Sequence, residues 1–300
     1  MRHALALAAL VLALPGTAPS SEPYRDAGSA AFAFLKVDVG AMVSALGGTG
    51  SLNGGGTSAF HNPARLAALE ASRFIAGHNS WFGSASQSFV AGAFRSSGVS
   101  WSLAARLMHV GGLQRREEAS SEPLGTFGSD EMSFHAAAAV RLGRFDLGLA
   151  AKLMRQKIWL ESCSGFAFDA GVVYRPFGFL DLAAVVQHVG PAVTMTEETH
   201  RLPYTWRLGA RTSVSLPLGR ASLSGEVRKH VDTRPKGGLG LDYSPYRWLS
   251  VRAGAWLGSE SHTLTGGLGL STGAWTLDYA YVPGDYQLGE THRFTLGKSF

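Results

Sequence analysis

If this chain performs chemistry, the stretch GGTGSLNGGGTSAFHNPARLAAL, Gly47 to Leu69, is where it would be sought, because glycines crowd there ahead of an Asn-Pro pair. Glycine-rich loops can cradle a phosphate on backbone N–H groups, but each such motif has further requirements. A P-loop needs a lysine directly after its last glycine, and Gly47 to Gly56 contains no lysine. A dinucleotide fingerprint needs a third glycine in fixed register, yet Gly48-Thr49-Gly50 is followed by Ser51-Leu52-Asn53. The phosphate reading fails on both counts. No His-Glu-x-x-His or Cys-x-x-Cys occurs elsewhere. The ten histidines are scattered singly, and His109, His135 and His188 read as structural. A hydrolase site would require Asp, His and Ser side chains gathered at one rim in space. Cys163 is the single cysteine, so the chain has no intrachain disulfide and no cysteine-built metal cluster. The expectation is a non-enzyme with no catalytic residue, metal or cofactor.

The elements that carry these residues are easier to read. Past residue 70 the hydrophobic period is two. In FDLGLAAKLM, Phe145, Leu147, Leu149, Ala151 and Leu153 share one face, and Asp146, Gly148, Ala150 and Lys152 the other. TWRLGARTSVSLPL and AWTLDYAYV repeat the arrangement, which marks strands with one apolar and one polar face. About fourteen such segments are expected, near 72–82, 84–96, 97–113, 130–143, 144–160, 162–175, 178–190, 203–217, 219–232, 236–245, 246–258, 260–272, 273–283 and 289–300. Tight turns at Gly143-Arg144, Gly178-Phe179 and Gly219-Arg220 alternate with long loops at 114–130 and 189–202.

A soluble β-sandwich also alternates, but its strands average about five or six residues. These run about twice that, near the 9–11 that a tilted bilayer crossing needs. The polar face carries Arg106, Arg141, Lys152, Asp169, Arg207, Arg211, Glu226, Arg228, Asp242, Arg252 and Asp278. In a barrel these charges of both signs face the lumen and pair across it. Trp81, Trp101, Trp159, Tyr174, Trp206, Trp248 and Tyr281 stand near strand ends, as interfacial girdles do. The last strand ends in Phe300, in phase with Phe294 and Leu296, an ending suited to barrel-assembly machinery. The expected fold class is all-β, a transmembrane antiparallel β-barrel.

Composition agrees. Charged residues make up 16% of the chain, against about 25% in soluble domains. Net charge is +5, but the 27 Lys and Arg are dispersed, so no nucleic-acid partner is expected. Arg2-His3, the apolar run Ala4 to Leu14 and the small residues through Ser20 form a secretory signal pattern. The domain expectation is therefore a signal peptide at 1–20, an N-terminal plug at 21–70 and a barrel at 71–300. In the plug, Gly47, Gly48 and Gly54 to Gly56 would let backbone pass through a crowded lumen. Asn62 would cap a short helix with Pro63 at its first position, followed by Ala64, while Leu66 and Leu69 pack inward.

FLKVDVGAMVSALGGTGSLNGGGTSAFHNPARLA resembles the N-terminal signature of the PorV/PorQ family of bacterial outer-membrane proteins, relatives of FadL-type barrels. Phe34-Leu35, Gly40-Ala41, Leu46-Gly47-Gly48 and Asn62-Pro63-Ala64 hold the family's places, while Leu46 and Arg65 depart from its usual methionine and glycine. The ending LDYAYVPGDYQLGETHRFTLGKSF, and QHVGPAV, LPYTWRLGA and LGLDYSPYRWLSVRAG between, also resemble it. The resemblance implies a fourteen-stranded, FadL-like barrel in the bacterial outer membrane with a plugged lumen. Its implied role is in type IX protein secretion or surface attachment. The implied partners are outer-membrane lipids, the barrel-assembly machinery and exported proteins or secretion-system subunits. The alternative is a FadL-like channel for hydrophobic small molecules, with a lateral opening at an inward strand kink.

Overall fold

A computed structural model of the chain describes residues 24–81, 84–117, 119, 122–258, 264–284 and 289–300. The signal sequence expected at 1–20 lies outside these residues. The period-two segments form one closed antiparallel barrel of fourteen strands. Seven strands precede a long connection: β1 (Arg73–Ser80), β2 (Ala85–Ser96), β3 (Val99–Arg115), β4 (Gly125–Leu142), β5 (Phe145–Ile158), β6 (Glu161–Phe177) and β7 (Leu180–Val189). That connection holds a small separate hairpin, β8 (Val193–Met195) and β9 (Glu198–His200). The other barrel strands are β10 (Thr205–Ser215), β11 (Arg220–His230), β12 (Lys236–Tyr246), β13 (Leu249–Leu257), β14 (Leu264–Thr272), β15 (Trp275–Pro283) and β16 (Glu290–Ser299). β7 pairs with β10, and β16 closes the ring on β1 with Arg73 opposite Ser299.

Each expected strand is present, with small shifts at the ends and two larger differences. β4 starts at Gly125, five residues before the expected start at 130, because β3 continues past a bulge between Val110 and Leu113 to pair with it as far as Arg115. The second difference is the β8–β9 hairpin inside the expected loop. The expected tight turns form, with Gly143 (φ 59°) and Gly219 (φ 85°) in left-handed backbone. Together with those joining β2–β3, β12–β13 and β14–β15, they lie at one end, where β1 also begins and β16 ends. The longer connections gather at the other, together with the short Trp159-Leu160 turn, and this is the outward end of such a barrel.

Alternation gives the barrel its inverted character. Leu103, Leu149, Leu153, Phe168, Leu208, Phe294 and Leu296 are each about half exposed or more on the outside, far beyond the apolar patches a soluble monomer shows. Arg106, Lys152, Asp169, Arg207, Glu226 and Arg228 are buried inside. A girdle of Trp101, Phe145, Tyr174, Trp248 and Trp275 marks the tight-turn end, with Phe145 stacked on Tyr174 at 4.7 Å and Tyr246 on Trp248 at 5.6 Å. Two expected girdle residues lie elsewhere. Trp81 turns inward beneath the Arg293 guanidinium, 5.1 Å from its ring centroid. Trp159 stands at the β5–β6 tip under Arg115, four residues (roughly 13 Å of strand) beyond the outward-facing Arg155.

The lumen is filled by residues 24–72, a hatch. It starts at the outer end, where Ala30 bridges Arg201 and Lys36 meets Asp232 at 2.7 Å. It descends through α1 (Ala41–Ala45), packed on β14 and β15, and α2 (Ser58–His61). A 3₁₀ turn, Pro63–Ala68, packs on β4 and β5 before the chain enters β1.

Candidate functional site

The hatch is seated by small residues on both sides of the contact. Gly47 (φ 62°) and Gly48 (φ 75°) take backbone that other residues resist. The wall answers with its own glycines: a Cβ on Gly254 would strike the backbone of Gly47, one on Gly148 that of Pro63 and Ala64, and one on Gly171 the Asn62 side chain. Gly54 and Gly55 differ from expectation, since nothing crowds them closely. Asn62 accepts the Ala64 N–H at 3.0 Å as the cap expected of it, and its amide donates to the Ser51 carbonyl at 2.8 Å. Pro63 opens a 3₁₀ turn and not the expected α-helix; Leu66 is buried and Leu69 packs against the same cluster.

The lumen charges meet in pairs. Arg228 grips Asp38 of the hatch through two hydrogen bonds, 2.8 and 3.0 Å. Arg207 bridges Asp38 at 3.8 Å and Glu226 at 3.0 Å, and Glu226 accepts the Ser51 N–H at 2.7 Å. Lys152 pairs with Asp169 at 2.7 Å and touches His188 Nδ1 at 2.8 Å. Arg252 joins Asp242 and Asp278, Arg141 pairs with Asp146, Arg106 donates to the Val37 carbonyl, and Arg211 to that of Leu52. Of these, Arg106, Lys152, Asp169, Arg207, Glu226, Arg228 and Arg252 are buried, whereas Arg141 is exposed near the tight-turn end.

Asp38, absent from the expected set, is the centre of this network. Burial alone would raise its carboxyl, but the surrounding Arg228, Arg207 and His61 outweigh that and hold it well below the usual carboxylate range. His61 is pushed down to about 4, by burial first and then by Arg207, against the pull of Asp38. Its Nε2–H donates to the Val39 carbonyl at 2.8 Å. The signal in the sequence was a lone acid inside the apolar run FLKVDVG, which needs a cation opposite it once buried.

Among the described residues, the histidines singled out in the sequence do not join a catalytic grouping. His135 meets the Ser133 hydroxyl at 2.9 Å, but its Nδ1 has no partner, so no carboxylate orients it. His109 is exposed beside Asp130, and His188 belongs to the Lys152 pair. No group of His, Cys, Asp or Glu among the described residues could hold a metal ion.

The wall is interrupted where β7 ends. In β7, Gln187 and His188 both face inward, and His188 takes φ 61°. Pairing with β6 jumps there from Ala170–Val186 to Phe168–Val189, and β7 ends. Residues 161–167 of β6 thus extend beyond β7, flanked by the connection that carries β8. Behind this break lies an apolar cluster: Phe32, Phe34 and Leu35 of the hatch, Met154, Cys163 and Ala167 of the wall, and Val193 and Leu202 of the connection. The outward-facing Phe166 and Phe168 set the break at the outer edge of the apolar band.

Charges inside, an apolar exterior and full closure define a β-barrel of the outer-membrane type, with a hatch in its lumen. No family model matches the sequence, and neither does any curated protein sequence. Solved structures do match the fold. The Ralstonia pickettii toluene transporter TbuX shares 15% identity over 87% of this chain and 98% of its own, with a TM-score of 0.60. A TodX monoaromatic hydrocarbon channel mutant gives 11%, 87%, 99% and 0.63, and a Pseudomonas aeruginosa FadL homologue 12%, 87%, 99% and 0.54. The chain has the fold of FadL-like barrels and sits in the bacterial outer membrane.

Proposed function

We propose that the protein is a channel that takes small apolar molecules from outside and releases them sideways through its wall. One observation carries this reading: the apolar cluster of Phe32, Phe34, Leu35, Val193 and Leu202 lies directly behind the irregular β6–β7 pairing at Phe168–Ala170, at the outer edge of the lipid-facing band. Axial passage meets the hatch and its buried charges, which an apolar solute has no free-energy reason to enter. The cluster offers such a solute an environment like the bilayer beyond it. Hydrocarbon transport by the structural neighbours supports the same reading.

Uptake of radiolabelled toluene into proteoliposomes tests it. The intact protein should transport, and a folded Leu202→Arg variant, with a charge in the cluster, should lose at least about tenfold. Equal rates in both would overturn the reading. Absence of uptake, together with co-purification of exported proteins from outer membranes, would favour the secretion role implied by the PorV/PorQ resemblance.

A further inference from the structure

Across the lumen from the apolar cluster, on the far side of hatch residues 34–38, lies a second cavity of about 300 Å³ with opposite chemistry. Lys36 and Asp38 of the hatch, Arg228, Lys236 and Arg293 of the wall, and Trp81 and Trp256 line it. Four cations thus face one carboxylate. Arg228 is neutralised by Asp38 and Lys36 by Asp232. Arg293 is different. Its Nη1 donates to the Ser44 hydroxyl at 2.7 Å and to the Asp38 carbonyl at 3.4 Å, and it forms no ion pair among the described residues. Its Nε has no acceptor, and neither has the indole Nε1 of Trp81, whose ring lies under the same guanidinium. A buried cation and two neighbouring orphan donors constitute an unfinished anion site, since a buried donor left unpaired forfeits its hydration without a replacement.

We infer that this cavity binds a small organic carboxylate with a flat apolar body, its oxygens on Arg293 and Trp81. Val37, Val282 and the Trp256 edge supply the apolar remainder of the lining. The volume accommodates a single ring with its carboxylate and excludes a long chain laid out straight. Neutral hydrocarbons would leave the donors unpaired, so this site selects charge where the apolar cluster rejects it. It does not rest on the lateral route.

The test uses full-length protein in detergent with benzoate, benzyl alcohol and inorganic phosphate as probes, followed by titration calorimetry. Benzoate should bind saturably and benzyl alcohol at least about tenfold more weakly. Arg293→Gln should weaken benzoate by about tenfold or more, and Trp81→Phe, which removes the indole donor while keeping an aromatic ring, by severalfold. Retained heat-modifiable mobility in gels would show that both variants remain folded barrels. Benzoate binding equally to wild type and Arg293→Gln, or not at all to wild type, would overturn the inference. Phosphate competing on equal terms with benzoate would overturn the apolar half of it.

Discussion

Asp38 and His61 show what a single strand-phase pattern can and cannot tell. Alternation assigns a face to each wall residue, so Arg207, Glu226 and Arg228 could be placed in the lumen from their neighbours alone. Hatch residues have no such period, and Asp38 acquires its role only when residues 190 positions apart meet. His61 has a consequence that pH should expose. Its docked pKa, about 4, lies below the ordinary 6.5 it regains when the hatch leaves the lumen. The undocked state therefore binds more protons between those values, and docking weakens as pH falls from about 6.5 to about 4. The loss is on the order of 3 kcal/mol at the acid end. Trypsin cleavage at Lys36 and Arg65, followed across that range, should accelerate with acid in wild type. His61→Gln, whose amide can still donate to the Val39 carbonyl, should flatten the profile.

At the scale of elements, the strands were legible because period two is a local property, and tight turns announce themselves by glycine. Asn62 and Pro63 likewise declared their cap, because a side-chain oxygen two residues from its N–H partner is a local arrangement. The β7 kink was not legible. It depends on Gln187 and His188 both finding lumen partners, Arg207 and Lys152, that lie on other strands. The wall glycines were also ambiguous in sequence, since glycine on a polar strand face can mean weakness as readily as close approach. Here they are the seat of the hatch, and that gives a prediction. Gly148→Val has room in an empty lumen but would collide with Pro63 and Ala64 in this one. The barrel should still fold, with unchanged heat-modifiable mobility, while trypsin access to Arg65 rises at least about tenfold. A glycine facing solvent in the turn, such as Gly273, gives the control: nothing lies near it, and Gly273→Asn should leave access unchanged.

For the whole molecule, the question is what keeps a fourteen-stranded ring from being an open pore. The ring alone would be water-filled, because its interior wall is polar. Closure comes from the hatch, and the hatch is tied to opposite walls by different means: glycine seats on β5, β6 and β13, apolar packing at Leu66 and Phe60, and the Asp38 grip on Arg228 and Arg207. The last is the most exposed to single substitution. Removing one member of a buried ion pair leaves the other uncompensated, which costs about 3–5 kcal/mol. Asp38→Ala leaves two arginines, Arg228 and Arg207, facing each other across the vacated space. Their repulsion is best relieved by admitting water and anions, that is, by the hatch loosening. In planar bilayers the wild-type protein should therefore be electrically silent or nearly so, and Asp38→Ala should show frequent openings with a preference for anions. The double change Asp38→Ala with Arg228→Met, which removes the orphaned charge along with its partner, should restore most of the silence. Openings as frequent in wild type as in Asp38→Ala would mean that the hatch does not seal the ring. In that case an axial aqueous path would have to replace the lateral one.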